Sequence, residues 1–211
     1  MIVFKYTKTD GAEYLAHLDM LRHLNKILRR ASVKTEYSKG FNPRMSIYMS
    51  APIGVGITSL AEFCLVETDM LPNDFLTEFN KYTIKGVKCS FAISTTKKVS
   101  VAGLINRATY RIEGLNKFNE KEVLKASEFY FTNKKGERKE VRQKIFALSW
   151  EGNDLIATLA FGNDGLRPDF FAKELIALHG GELRSVTKLN AHVDEKTFEN
   201  YLCDKFQEGQ L

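Results

Sequence analysis

Cysteine is scarce in this sequence: Cys64, Cys89 and Cys203 are the three present among 211 residues. They stand too far apart along the chain to indicate a disulfide framework. No Cys-x-x-Cys pair occurs, which argues against a zinc ribbon or an iron–sulfur cluster bound by this chain alone. We therefore expect neither a metal site nor a cofactor.

The motifs of several familiar enzyme classes are missing as well. The sequence contains no Gly-x-x-x-x-Gly-Lys-Ser/Thr phosphate loop, no Gly-x-Gly-x-x-Gly turn, no Gly-x-Ser-x-Gly elbow and no His-Glu-x-x-His pair. No apolar run approaches the roughly 20 residues that span a bilayer, so no membrane association is predicted. The first residues lack the basic and apolar regions of a secretory signal, and we expect a cytoplasmic protein.

Positive charge is concentrated near the N-terminus. The formal net charge is +5. Residues 1–45 contain nine basic and four acidic side chains, an excess of five, whereas the remaining residues contain 22 of each sign. A local positive field attracts anionic partners such as nucleic acid or an acidic protein face. Charged helix faces are also common on proteins with no such partner, so a simple solvated face stays open.

Hydrophobic periodicity predicts an α+β protein in which one order of elements occurs twice. In the first helix, the spacing of Leu15, Leu18, Leu21, Leu24 and Leu28 predicts one buried stripe. The order β-α-β-β-α-β is that of ferredoxin-like domains. We expect tandem ferredoxin-like halves with antiparallel sheets, one over residues 1–96 with the basic first helix and one over 107–211 with a terminal helix; a single mixed domain is the alternative. The predicted strands are 2–6, 45–51, 61–67, 86–93, 108–113, 138–150, 155–161 and 183–193, and the predicted helices are 12–31, 71–81, 120–131, 168–178 and 195–206.

Two clusters of polar side chains are candidates for a site. On the first helix, Asp19 can reach Arg22 or His23 and follows His17 closely; such a cluster also serves simply to stabilise a helix start. The loop Tyr37-Ser38-Lys39-Gly40-Phe41-Asn42-Pro43-Arg44 combines aromatic rings with cations, the pattern that binds single-stranded nucleic acid. A structural turn whose rings pack on the core is the alternative for the loop.

Five stretches of the N-terminal part resemble one protein family. They are His17-Leu18-Asp19, Leu28-Arg29-Arg30-Ala31, the loop 37–44, Ala51-Pro52-Ile53-Gly54-Val55-Gly56 and Ser59-x-x-Glu62. The chain resembles the radical-SAM-linked family of unknown function, a domain either fused behind a radical SAM enzyme or encoded beside one. The resemblance covers residues 1–95 densely and the rest loosely. It implies a bacterial cytoplasmic protein with a radical SAM partner, and not the radical SAM enzyme itself, because the cluster-binding cysteines are missing.

The N-terminal excess of positive charge, the loop 37–44 and the family resemblance favour one function together. It is that of a non-catalytic accessory module of a radical SAM system that binds RNA or an RNA-bearing substrate. The residues expected to bind are Arg22, Arg29, Arg30, Lys39, Phe41, Asn42 and Arg44. One alternative is a metal-independent endoribonuclease, by analogy with CRISPR ribonucleases built on tandem ferredoxin-like domains. Its weak catalytic candidates are His17 as general base, Asp19 and Tyr37. Another alternative is a pure protein–protein adaptor that uses the same charges.

Overall fold

A computed structural model describes residues 1–132 and 136–206 of the chain. Within these residues the helices are α1 (His17–Arg30), α2 (Pro72–Tyr82), α3 (Val101–Leu104), α4 (Glu120–Lys125), α5 (Pro168–His179) and α6 (Phe198–Phe206). The strands are β1 (Ile2–Lys8), β2 (Ile47–Met49), β3 (Thr58–Val66), β4 (Cys89–Ser94), β5 (Arg107–Leu115), β6 (Tyr130–Thr132), β7 (Arg138–Glu140), β8 (Ile145–Glu151), β9 (Asp154–Ala160), β10 (Gly181–Val193) and β11 (Lys196–Thr197). The protein is a mixed α/β protein with six helices in this part of the chain.

One large sheet holds nine of these strands. Its order is β4-β1-β3-β10-β5-β9-β8, with β2 paired to β3 and β11 paired to β10. The neighbours are antiparallel except β3 and β10, which run parallel where Thr58 lies opposite Thr187 and Ser59 opposite Lys188. Strands β6 and β7 form a separate two-stranded sheet. The parallel pair joins the strands of the N-terminal half to those of the C-terminal half.

The N-terminal part of the sheet is covered on both faces, because successive residues of a strand point to opposite sides. On one face the ring of Phe4 packs against Phe75 and Phe79 of α2, with centroids 5.0 and 5.4 Å away. On the other face Phe63 meets Phe198 of α6 edge-on at 4.9 Å. The last described helix therefore covers the first half of the chain.

Helix α1 begins five residues later than predicted. Residues 12–14 form a short 3-10 turn, and Ala16 is extended before the helix starts at His17. Of the predicted stripe, Leu24 and Leu28 are buried, whereas Leu15 precedes the helix and Leu18 is 62% exposed. The buried face consists of Met20, Leu24, Ile27 and Leu28.

Two predictions for the C-terminal half are also wrong. The helix predicted over 120–131 ends at Lys125, because Phe129 turns inward against the ring of Phe171, with centroids 5.5 Å apart, and β6 follows. The strand predicted over 138–150 is divided into β7 and β8 by a 3-10 turn at 142–144. There the Arg142 guanidinium donates to the backbone oxygen of Ile145 at 2.8 Å.

Candidate functional site

The C-terminal part of α1 presents a row of cations to solvent. Arg22, Lys26, Arg29 and Arg30 are all exposed. Arg22 donates to Asp19 at 2.8 Å in an exposed pair, whereas Lys26, Arg29 and Arg30 have no ion-pair partner within the described residues. Burial, and then the charges of Lys26 and Arg30, lower the pKa of His23. The face therefore carries uncompensated positive charge.

The loop after α1 holds an aromatic ring fully in solvent. Tyr37 bridges to Met45, and the Ser38 amide donates to the Arg44 oxygen at 2.7 Å while the Arg44 amide donates to Ser38 Oγ at 2.9 Å. These bonds close the loop at its base. Gly40, with φ at 141°, supplies the bend at its tip. Phe41 follows the bend and is fully exposed.

Three exposed polar residues flank Phe41 in the sequence: Lys39, Asn42 and Arg44. We call Arg22, Arg29, Arg30, Lys39, Phe41, Asn42 and Arg44 the N-terminal basic surface. The structural alternative for the loop, in which its rings pack on the core, does not hold for Phe41. Tyr37 is also partly exposed, at 45%.

The weak catalytic candidates stand at different points along α1 and the loop that follows it. His17 begins α1 and Tyr37 follows its C-terminal end, and a helix of 14 residues is about 20 Å long. Among the described residues no hydrogen bond joins His17, Asp19 or Tyr37 to one another. The carboxylate of Asp19 pairs with Arg22 and so orients neither of the other two.

A buried polar cluster lies where β3 and β10 run side by side. Lys188 is fully buried, and its ammonium donates to Glu62 Oε1 at 2.9 Å. The hydroxyl of Ser59 donates to the same oxygen at 2.7 Å. The ammonium also lies 4.3 Å from the centre of the Phe161 ring. The cluster links the two halves of the chain through a largely buried charged pair.

Lys8, at the end of β1, adds a second buried cation to this region and is only 5% exposed. Burial lowers the pKa of Lys8, while the charges of Glu62 and Glu13 raise it. A small cavity of about 10 Å³ is lined by Lys8, His17, Glu62 and their neighbours. A larger cleft of about 70 Å³ adjoins it, shares Pro52 and Ile53 with it and has Arg167 on its wall.

Sequence reasoning missed Lys8, Glu62 and Lys188 as site candidates. The family resemblance includes Ser59-x-x-Glu62 and also the Gly-rich stretch 51–56, which borders the cavities. Nothing local in the sequence marks Lys188 as their partner, since 126 residues separate it from Glu62.

Neither a metal site nor a membrane span emerges from the described residues. No group of three His, Cys, Asp or Glu side chains among residues 1–132 and 136–206 is arranged to hold a metal ion. Over the same part of the chain, every helix falls short of the length and apolar character needed to cross a membrane.

A protein-family model described as "Uncharacterized protein conserved in bacteria (DUF2344)" matches residues 1–168. No curated protein matches the chain. The matched range includes the N-terminal basic surface, Lys8 and Glu62, and it ends where α5 begins. Because the match covers most of the 211 residues, the chain belongs to this conserved bacterial family.

Proposed function

We propose that this protein is a non-catalytic accessory module that binds RNA, or an RNA-bearing substrate, for a radical SAM partner. The observation that carries the RNA part is the fully exposed ring of Phe41 on a loop whose neighbours Lys39 and Arg44 are exposed cations. The radical SAM partner rests on the sequence resemblance described above.

The N-terminal basic surface combines the two features that bind a single strand of nucleic acid, an exposed aromatic ring and unpaired cations. A base can stack on an exposed aromatic ring whatever its sequence, and each such contact contributes about 1–3 kcal/mol. The cations of Arg29 and Arg30 have no acid beside them within the described residues, so they are free to neutralise phosphates. An acidic protein patch would use the same charges, and an aromatic ring also anchors protein interfaces, so binding of RNA after purification is the observation that distinguishes the two.

The strand orders support the proposal that each half is a ferredoxin-like unit. In the N-terminal half β4, β1 and β3 are neighbours and β2 lies on β3. In the C-terminal half the large sheet has the order β10-β5-β9-β8. When β6 and β7, which form the separate small sheet, are left out of the count, these are the fourth, first, third and second strands of that half. Both orders agree with the repeated β-α-β-β-α-β pattern. On this proposal residues 1–96 and 107–211 form two such units joined edge to edge.

Removing two cations from α1 is expected to weaken RNA binding in a salt-dependent way. A labelled bacterial RNA pool is titrated with the wild type and with Arg29→Ala/Arg30→Ala at several salt concentrations. Each phosphate contact on a single strand adds about 0.7 to the slope of log affinity against log salt, so the double variant should flatten that slope by about 1.4. The matched control is Lys121→Ala/Lys125→Ala on α4, which removes two exposed lysines from the other half.

Equal losses of RNA affinity in the two double variants would show that binding follows net charge alone. That result would contradict the proposed surface. No binding by the wild type at low salt would contradict RNA binding altogether and favour the adaptor. In that case a radical SAM subunit should be retained by the protein after nuclease treatment.

The Phe41 ring is expected to contribute to affinity without contributing to stability. Phe41→Ala should weaken binding of the same RNA pool by about 5- to 150-fold, because one stacked base is lost. Phe41→Trp should retain the affinity, since any aromatic face supports stacking. The urea midpoint of both variants should equal that of the wild type, as the ring touches no core residue. Tyr14→Ala, which removes another exposed ring (70% exposed), is the control, and an equal effect there would count against the loop.

A further inference from the structure

The cleft of about 70 Å³ lies where the two halves of the chain meet. Residues from two loops line it: 52–57, which precede β3, and 160–168, which run from the end of β9 to the start of α5. Tyr110 of β5 completes the lining. Most of these side chains are apolar, so the cleft offers apolar contacts together with a small number of polar groups, which is typical of sites for small ligands.

Backbone hydrogen bonds hold both loops in place. The Gly56 amide donates to the oxygen of Glu13 at 2.9 Å, and the Leu166 amide donates to the oxygen of Ala160 at 2.9 Å. At Gly165 a Cβ would lie 3.0 Å from the Ala160 oxygen, so the second loop is packed closely on itself. The walls of the cleft are therefore formed in the absence of a ligand, as they are in most binding pockets.

The hydroxyl of Tyr110 is open to this cleft. The residue is only 2% exposed, yet its oxygen is not enclosed by protein and has no hydrogen-bond partner within residues 1–132 and 136–206. Burial, and then the charges of Glu62 and Asp169, raise the pKa of Tyr110, so the hydroxyl stays protonated at neutral pH. It can donate a hydrogen bond to an acceptor placed in the cleft.

The charge at the cleft is balanced. Of the described residues that line it, Arg167 is the charged one, and its guanidinium donates twice to the carboxylate of Asp169, at 3.0 and 2.6 Å. The guanidinium also lies against the first loop, because a Cβ on Gly54 would be 3.4 Å from Nη2. A charged group that left water here would find no uncompensated counter-charge, which is costly. The cleft therefore suits an uncharged ligand.

The size of the cleft restricts that ligand further. A water-sized atom needs about 10–15 Å³, so 70 Å³ holds about five to seven such atoms, about the number in one six-membered ring. Bases that leave a nucleic-acid stack are held between apolar side chains and recognised by hydrogen bonds to their edges. A pyrimidine base has one six-membered ring, no charge at neutral pH and a carbonyl oxygen at its edge. A purine has two fused rings and exceeds the space.

We propose that the cleft between residues 52–57 and 160–168 binds one pyrimidine base, with the Tyr110 hydroxyl donating to a carbonyl oxygen of the base. The apolar side chains of both loops contact the ring, and the sugar lies at the half-exposed Arg167. The site shares no residue with the N-terminal basic surface. It does not rest on RNA binding, because a free nucleoside carries the same ring as a base in a strand.

NMR titration of the full chain with uridine and, separately, with adenosine tests this site. We expect saturable binding of uridine and weaker binding of adenosine. Tyr110→Phe removes only the hydroxyl and should weaken uridine binding by about 2- to 10-fold, the effect of one neutral hydrogen bond. Tyr14→Phe, which removes the hydroxyl of an exposed tyrosine, should bind uridine as the wild type does.

A second variant acts on the shape of the cleft instead of its hydrogen bond. In Gly54→Ala the new Cβ would lie 3.2 Å from Cδ1 of Ile57, which also lines the cleft, so the space narrows and uridine affinity should be lost. Val55→Ala shortens an exposed neighbour outside the lining and should retain the affinity. Urea midpoints verify that each variant is folded.

Three results would overturn the proposal. They are the absence of saturable uridine binding to the wild type, equal uridine affinity in Tyr110→Phe and the wild type, and adenosine binding as tight as that of uridine. The RNA pool identifies the source of the base. If Tyr110→Phe also weakens RNA binding, the base belongs to a strand, whereas unchanged RNA affinity indicates a free nucleoside. Failure of the RNA titration leaves the uridine expectations unchanged.

Discussion

Glu62→Leu should lower the free energy of unfolding by about 3–5 kcal/mol, the usual effect of leaving one partner of a buried ion pair alone. The carboxylate of Glu62 is 2.9 Å from the ammonium of Lys188, which is fully buried. The same oxygen accepts from the hydroxyl of Ser59. Without it, one charged and one neutral donor, both fully buried, lose their acceptor. Urea unfolding followed by circular dichroism measures the difference.

Removing the partner as well should recover part of that loss. In Glu62→Leu/Lys188→Met no unpaired charge of this pair remains, and apolar replacements of buried pairs are often tolerated. We therefore expect the double variant to be more stable than Glu62→Leu and the two substitutions to couple by about 0.5–3 kcal/mol. Arg22→Ala breaks the exposed pair with Asp19 and should change stability by less than about 1 kcal/mol. If the effects of the substitutions at Glu62 and Lys188 on the free energy of unfolding are additive, the two side chains are not energetically coupled.

Local signals in the sequence predict some elements closely. The predicted helices 71–81 and 168–178 compare with Pro72–Tyr82 and Pro168–His179. Both have proline at the first helical positions, where its missing amide costs nothing. Helix α1 has no such marker, and its start was predicted five residues too early. A helix boundary can be predicted closely where a residue type such as proline fixes it. Where only hydrophobic periodicity indicates the helix, the predicted boundary is less accurate.

The basic surface and the cluster around Glu62 also differ in how far the sequence predicts them. The exposure of Arg29, Arg30 and Lys39 could be predicted because a run of cations gains nothing from burial. The cluster around Glu62 could not, because it depends on the parallel contact of β3 with β10, which only the assembled sheet creates. A lysine in a strand is ordinarily read as a solvent-facing residue, and Lys188 lies at a position that the alternation with Val186 makes a buried one.

Gly86→Ala tests how closely the backbone at Gly86 packs against Thr9, which follows Lys8 in the chain. Gly86 has φ at +83°, and a Cβ there would lie 1.8 Å from the backbone oxygen of Thr9. The Thr9 amide in turn donates to the Gly86 oxygen at 2.9 Å, so neither backbone can move away alone. Gly86→Ala should therefore lower the free energy of unfolding by about 2–6 kcal/mol, through backbone strain and overpacking together.

Gly56→Ala separates these two causes. Gly56 has nearly the same φ, +86°, but its Cβ would meet no atom within 4 Å, so only the strain of about 1–3 kcal/mol applies. Urea unfolding should place the Gly86 variant clearly below the Gly56 variant, and equal midpoints would show that the contact with Thr9 yields easily.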